Sequence, residues 1–100
     1  MAIKINWSKE AEETFSRNFD YLLNEWTEKE AEKFVQKTEQ VTKRLQLFPE
    51  SYPTGNKNKK YRKASLNKYI VLFYRYYKTK SEITLATFWN VKRNPANSPY

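Results

Sequence analysis

The spacing of apolar residues changes near Pro49, and this change constrains the fold more than any other feature of the sequence. From residue 9 to residue 48, apolar residues recur every three or four positions, which is the period of an amphipathic helix. From residue 61 to residue 89, apolar runs are rich in aromatic and β-branched side chains, which is typical of strands. The sequence therefore predicts helices first and a β-sheet afterwards.

Capping residues divide the helical part in two. Ser8 is a good N-cap, and Thr27-Glu28-Lys29-Glu30 fits a capping box, so one helix begins after each. Pro49 ends the second helix. With almost no loop between them, the two helices are expected to form an antiparallel hairpin. The alternating residues 3–7 before Ser8 predict a short first strand.

The second half predicts a meander of three strands joined by short turns. A loop covers residues 49–60, strands are expected at 61–66, 69–77 and 82–89, and residues 94–100 form a flexible tail. The fold class is therefore α+β, ordered β-α-α-β-β-β, with the helical hairpin on one face of a small, mainly antiparallel sheet. The other face of the sheet is left partly open among basic residues. The three tryptophans are expected in the core: Trp7, Trp26 and Trp89.

Length and composition exclude several classes of protein. One hundred residues bound the chain to a single domain, residues 1–100. The chain contains no cysteine and no histidine, which argues against disulfides, thiolate metal sites and the usual base near neutral pH. We expect no metal, no cofactor and no small-molecule substrate. No apolar run is long enough to span a bilayer and no signal peptide is evident, so a cytoplasmic protein without a membrane partner is expected.

Positive charge is concentrated in the second half of the chain. Residues 1–50 carry eight Lys or Arg and ten Asp or Glu, whereas residues 51–100 carry eleven Lys or Arg and a single acid, Glu82. Such asymmetry favours a polyanion or an acidic protein as partner. The simpler interpretation is a charged surface that keeps a small domain soluble.

Four stretches, taken in order, give the chain a family resemblance. They are IKINWSKEAEETF at 3–15, RLQLFPESYPTG at 44–55, YRKASLNKYIVLFYRY at 61–76 and FWNVKRNP at 88–95. A short strand, a helical hairpin ending in an LxxFP-like stretch, and a basic meander ending in (K/R)R-N-P resemble the RelE/ParE superfamily of bacterial toxins.

The resemblance implies the toxin of a type II toxin–antitoxin system, which inhibits growth until a small, acidic, adjacently encoded antitoxin binds it. RelE-like members cleave mRNA on the ribosome, whereas ParE-like members inhibit DNA gyrase and are not nucleases. A ParE-like toxin, or one with an unknown target, is the leading hypothesis. A RelE-like endoribonuclease and a non-catalytic nucleic-acid-binding domain are the alternatives.

The catalytic residues that the resemblance implies are only partly present, so enzymatic activity is left open. Arg93 matches the arginine after the last strand, Lys63 can be matched to a lysine of the second strand, and Tyr100 to the C-terminal tyrosine. The third-strand arginine is missing, and Arg75 is expected to lie elsewhere. Arg93 has a structural alternative, an ion pair with Glu28 or Glu32.

Further cations are candidates for binding a target or nucleic acid. They are Lys59, Lys60, Arg62, Lys68, Arg75 and Lys92. The alternative is that they are solvated loop and edge-strand residues, where lysine discourages aggregation between sheets.

Overall fold

Two helices pack on one side of a four-stranded mixed sheet in the computed structural model, which describes residues 3–92 and 99–100. The elements are β1 (Lys4–Trp7), α1 (Lys9–Glu25), α2 (Glu28–Leu47), β2 (Tyr61–Ser65), β3 (Ile70–Tyr77) and β4 (Glu82–Asn90). Their order confirms the predicted β-α-α-β-β-β fold class. The predicted strand ends differ from those observed by one residue at most.

The strand order in the sheet is β1-β4-β3-β2. β2, β3 and β4 form the predicted antiparallel meander, and β1 adds at the edge, parallel to β4. A parallel pair needs a long crossover connection, and the helical hairpin between β1 and β2 supplies part of it. β1 and β4 therefore pair although they lie at opposite ends of the chain.

Both predicted helix starts are confirmed by capping hydrogen bonds. The Ser8 hydroxyl oxygen accepts a hydrogen bond from the Ala11 N–H at 3.0 Å, and the Thr27 hydroxyl oxygen accepts one from the Glu30 N–H at 3.1 Å. Ser8 also donates to the Ala86 carbonyl at 2.9 Å. This one residue therefore caps α1 and ties the start of the helix to β4.

The meander turns without glycine. Asn67 substitutes for it with its side chain, whose Oδ1 accepts hydrogen bonds from the Tyr69 and Ile70 N–H groups at 2.8 and 2.9 Å. A 3-10 turn at Lys78–Lys80 leads into Ser81, which has a left-handed backbone with φ 52°. The turn between β2 and β3 is thus stabilised by a side chain, and the turn between β3 and β4 uses one left-handed residue.

The core between helices and sheet centres on aromatic rings. Phe15 of α1 and Phe34 of α2 stack with their centroids 4.9 Å apart, and Phe88 of β4 packs on both. The expectation that Trp7 and Trp26 belong to the core is wrong, because they are 38% and 40% exposed. Each packs one side of its ring, Trp7 on Phe15 and Phe88, and leaves the rest in solvent.

A β-bulge in β4 changes which side chains face the helices. Phe73 pairs with Thr87 and Tyr74 pairs with Leu85, so Ala86 is an extra residue that shifts the alternation. Strict alternation from Ile83 would place Phe88 opposite the core and Trp89 within it. Because of the bulge, Phe88 is buried at 1% exposure, and Trp89 lies on the other face, half-buried.

Side chains of α1 complete the edge of β4 beyond the end of β1. The Thr14 hydroxyl accepts from the Phe88 N–H at 2.9 Å, and the Asn18 amide donates to the Phe88 carbonyl at 2.9 Å. Asn90 donates to Asn18 Oδ1 at 3.2 Å and accepts from the Lys92 N–H at 3.0 Å. These bonds substitute for a missing strand and fix the end of β4 against α1.

Candidate functional site

The sheet surface turned away from the helices, here called the open face, carries a mixture of cations and aromatic rings. Alternation along β2 and β3 places seven side chains there: Tyr61, Lys63, Ser65, Val71, Phe73, Arg75 and Tyr77. Tyr61 pairs with Arg75 and Lys63 with Phe73, so Lys63 and Arg75 are diagonal neighbours. Lys63 is thus close to a strand arginine. Arg75 lies toward the end of β3 and not at its start, and the expectation that it does not replace the missing third-strand arginine stays a prediction.

Aromatic rings hold Arg75 in place on the open face. Its guanidinium carbon lies 4.6 Å from the centroid of the Tyr77 ring and 5.9 Å from that of Tyr61. The Lys80 ammonium lies 5.7 Å from the Tyr77 centroid. Each such contact contributes roughly 0.5–2 kcal/mol, depending on solvent exposure. Within the described residues Arg75 forms no ion pair, so its charge remains available to an anionic partner.

Tyr100 is docked on the open face. Its ring stacks on Tyr61 with centroids 3.9 Å apart and planes 15° from parallel, and it tilts against Phe73 at 5.5 Å. Its backbone oxygen accepts hydrogen bonds from the Lys57 and Asn58 N–H groups at 2.7 and 3.1 Å. The predicted flexible tail covers residues 94–100, of which 94–98 lie outside the described residues, and its flexibility stays a prediction.

Gly55 is required where Tyr100 docks. A Cβ atom at this position would lie 2.5 Å from the Tyr100 backbone oxygen, well inside van der Waals contact. The Gly55 N–H donates to the Tyr61 carbonyl at 2.8 Å, so the loop also covers the outer edge of β2. The only glycine of the sequence thus stands where two backbone segments meet.

A carboxylate that sequence reasoning missed lies beside this group. Glu10 of α1 lines a cleft of about 220 Å³ together with Arg75, Tyr77 and Tyr100. Glu10 was not among the predicted site residues. The signal was available: β1 leads directly into α1, so the first turn of the helix starts at the sheet.

The phenol of Tyr100 is held in its protonated form. Burial raises its pKa above the usual value, and the neighbouring Tyr61 and Glu10 and a hydrogen bond with Tyr61 act in the same direction. Near neutral pH the Tyr100 hydroxyl can donate a proton or a hydrogen bond, but it cannot act as a base.

Arg62 lies on the other side of β2 and is used within the protein. Its guanidinium donates to the Tyr52 and Glu50 carbonyls at 2.8 and 3.2 Å and pairs with the Glu50 carboxylate at 3.5 Å. It therefore fastens the loop after α2 to the sheet, whereas the sequence placed it in a binding surface.

The remaining predicted cations are dispersed. Lys59 and Lys60 are exposed in the turn before β2, and Lys68 is exposed in the turn before β3. The Lys92 ammonium lies 5.5 Å from the Trp26 centroid and 5.2 Å from that of Tyr69, at the far end of the sheet. Arg93 lies outside the described residues. Of the predicted site residues, the structure thus brings Lys63, Arg75 and Tyr100 together.

Metal and membrane sites were also considered for the described part of the chain. Residues 3–92 and 99–100 hold no group of three or more acidic, histidine or cysteine side chains that could bind a metal ion. Neither α1 nor α2 is long and apolar enough to cross a membrane.

Comparison with known proteins connects this fold to a family. The sequence matches the family described as ParE toxin of type II toxin-antitoxin system, parDE, over residues 5–95. No curated protein sequence matches significantly.

Two solved structures share the fold. A chain of the chromosomal ParDE TA system from P. aeruginosa is 22% identical with a TM-score of 0.67, over 88% of this chain and 95% of that one. The YoeB/ParE toxin from Agrobacterium tumefaciens is 11% identical with a TM-score of 0.64, over 88% of this chain and 98% of that one.

Proposed function

Since the chain belongs to the ParE toxin family of type II toxin–antitoxin systems, we propose that it inhibits growth by binding DNA gyrase until its antitoxin neutralises it. The family match over residues 5–95 is the observation that carries this proposal. The matched residues include the open face and both helices, so the proposal rests on the whole domain and not on a single motif.

The chemistry of the open face supports binding rather than catalysis. RNA cleavage needs a group that removes a proton from the 2′-hydroxyl near neutral pH. The chain contains no histidine, and the phenol of Tyr100 is held protonated. Arg75 and the tyrosine rings around it instead offer a cationic, aromatic surface of the kind that anchors protein and nucleic-acid partners.

A supercoiling assay with purified gyrase tests the proposal. We expect the toxin to block supercoiling, and we expect Arg75→Ala to weaken inhibition on the order of tenfold, because it removes the charge centred on the open face. Lys37→Ala is the matched control, since Lys37 is an exposed cation on α2, away from that face. Undiminished supercoiling with excess wild-type toxin would exclude gyrase as the target.

The antitoxin is proposed to be a small acidic protein encoded by the adjacent gene. The eleven cations and single acid of residues 51–100 support an acidic partner. β1 offers a place for an extended segment. The Lys4 N–H donates to the Ser81 carbonyl just before β4 and the Ser8 N–H donates to the Leu85 carbonyl of β4, so the backbone groups of Ile5 and Trp7 face outwards. An apolar groove of about 440 Å³ between β1 and α2, lined by Trp7 and Val35, lies beside that edge.

Separation of toxicity from neutralisation tests this arrangement. Val35→Asp introduces a charge into the groove, so we expect a toxin that still inhibits gyrase but is no longer neutralised by co-expressed antitoxin. Gln36→Asp is the control, because Gln36 is exposed and is not part of this groove. Normal neutralisation of the Val35→Asp toxin would move the antitoxin to another surface.

Ribosome-dependent mRNA cleavage is a second candidate, and one observation favours it. Glu10, Arg75 and Tyr100 line one cleft, which supplies a carboxylate, a cation and a protonated phenol. In this case Glu10 would accept the proton of the 2′-hydroxyl as its oxygen attacks phosphorus, Arg75 would stabilise the charged phosphorane, and the Tyr100 phenol would give its proton to the 5′-oxygen that leaves. Primer extension on ribosome-bound mRNA distinguishes the candidates: this one requires cleavage that Glu10→Gln abolishes, whereas the leading proposal requires intact mRNA.

A further inference from the structure

The place where Tyr100 docks has the features of a ligand site that the protein fills with its own residue. We call it the Tyr100 slot and define it by Gly55, Lys57, Asn58, Tyr61 and Phe73. The slot holds a planar ring by stacking at 3.9 Å, and it holds an oxygen by two converging backbone N–H groups. Successive N–H groups that converge on one oxygen form the concave arrangement that proteins use to bind anions.

The charge around the slot exceeds what its present occupant uses. Lys57, Lys59 and Lys60 are exposed in the loop that donates the N–H groups, and Lys63 and Arg75 flank the stacked ring. None of these five cations forms an ion pair within residues 3–92 and 99–100. A phosphate held in the place of this oxygen would accept from the same two N–H groups and would also interact with the surrounding positive charge.

We propose that the Tyr100 slot binds one nucleotide of a single-stranded nucleic acid, and that Tyr100 is displaced when it does. The base takes the place of the phenol ring on Tyr61, and the phosphate takes the place of the backbone oxygen at Lys57 and Asn58. Stacking on an aromatic side chain tolerates any base, so the slot selects a nucleotide and not a sequence. An aromatic peptide residue would also fit the ring position, but it lacks the phosphate that five cations favour.

This proposal is compatible with the leading proposed function, because gyrase is met on DNA. It excludes a catalytic role for Tyr100 in the second candidate function, because a bound nucleotide displaces the phenol. It goes beyond the proposed function by assigning Tyr100 the role of an internal competitor. The slot would be closed in the free toxin and open when a strand is bound.

Binding of a fluorescein-labelled single-stranded ten-nucleotide oligonucleotide, followed by fluorescence anisotropy, tests the proposal. Tyr100→Gly removes the competing ring, so we expect affinity to rise on the order of tenfold. Tyr61→Leu removes the stacking platform and should lower the affinity on the order of tenfold, while Tyr61→Phe keeps the ring and the affinity. Far-ultraviolet circular dichroism of each variant checks that the fold is retained.

Gly55→Ala distinguishes an open slot from a merely loosened tail. The added Cβ lies where the oxygen is held, so it displaces Tyr100 and also blocks the phosphate. We therefore expect Gly55→Ala to weaken binding, in contrast to Tyr100→Gly. Lys37→Gln, which removes an exposed cation of α2 outside the slot, controls for diffuse electrostatic attraction and should change affinity less than twofold.

Several results would overturn the proposal. Affinity that is unchanged or lower in Tyr100→Gly would show that Tyr100 does not compete. A loss of affinity in Lys37→Gln with no loss in Tyr61→Leu would show binding by net charge alone. If Tyr100→Gly bound an acidic tyrosine-containing peptide but no oligonucleotide, the slot would belong to a protein partner. Parallel titrations with DNA and RNA oligonucleotides show which of the two nucleic acids the slot binds more tightly. The result of these titrations is independent of the gyrase assay.

Discussion

Replacement of Asn18 by leucine tests whether α1 completes the edge of β4. Asn18 is 5% exposed, and its amide contacts two groups from β4: it donates to the Phe88 carbonyl at 2.9 Å and accepts from Asn90 at 3.2 Å. Leucine has nearly the same size and shape but can form neither bond. The substitution therefore leaves polar groups without these partners while the helix retains a good helix-forming residue.

The cost follows from the two lost hydrogen bonds. The Phe88 carbonyl loses its Asn18 donor, which costs about 1–3 kcal/mol for a buried polar group, and the lost Asn18–Asn90 hydrogen bond adds about 0.5–1.5 kcal/mol. A cleft lined by Asn18 and Asn90 admits water, which restores part of this, and leucine adds apolar contact. We expect Asn18→Leu to lower the free energy of unfolding by about 2 kcal/mol.

Urea unfolding followed by circular dichroism measures this difference. For a domain of this size, about 2 kcal/mol shifts the midpoint by roughly 1–2 M urea. Asn24→Leu is the matched control, since Asn24 lies exposed on the same helix. If Asn18→Leu cost less than about 0.5 kcal/mol, or no more than Asn24→Leu, the account of the β4 edge would be refuted.

Three further predictions concern the fold. Burial raises the pKa of Tyr74 to about 12. The contribution of the protonated Tyr74 phenol to the free energy of unfolding is therefore present below pH 10 and is lost as the pH rises from about 10 to 12. Urea unfolding at several alkaline pH values should show that the free energy of unfolding of the wild type falls by about 2–3 kcal/mol relative to that of Tyr74→Phe across this range. Parallel dependence of the two free energies on pH would contradict this prediction. Arg62→Met should cost about 1–2 kcal/mol in urea unfolding, because the Glu50 and Tyr52 carbonyls lose their donor. Phe88→Ala should cost about 3–5 kcal/mol and Trp89→Ala clearly less, and the reverse order would mean that the bulge is misplaced.

The order of elements followed from the sequence because local signals specified it. Ser8 and Thr27 mark helix starts by the same hydrogen bonds that the structure contains, and Pro49 ends the second helix. Alternating and aromatic runs gave the three strands of the meander. These features depend on neighbours within a few residues, so the sequence was sufficient to predict them.

The faces of β4 could not be read from the sequence, because a bulge changes alternation without changing composition. Ala86 is an ordinary strand residue, and only pairing with β3 shows that it is unpaired. As a result Trp89, which was expected in the core, lies on the other face of the sheet. Trp7 and Trp26 were wrongly placed in the core for a related reason. The period of a helix or strand predicts which face a side chain is on, but it does not predict how much of that face the core covers.

The candidate site was predicted in part. Lys63 and Tyr100 were selected through the family resemblance, and the structure places both on the open face. The proximity of Arg75 and Glu10 depends on strand register and on the path from β1 into α1, which are long-range features. Arg62 lies on the opposite side of β2 from Lys63, because one residue of register decides on which side of a strand a side chain lies.

Controlled expression in a bacterial host, alone and together with the adjacent gene, tests the central claim most directly. The account predicts that colony counts fall sharply when the chain is expressed alone and recover when the adjacent small acidic protein is co-expressed. An early stop codon in the toxin gene provides the control for the effect of expression itself. Normal growth of cells that accumulate the full-length, folded protein would contradict the claim that this chain is a toxin.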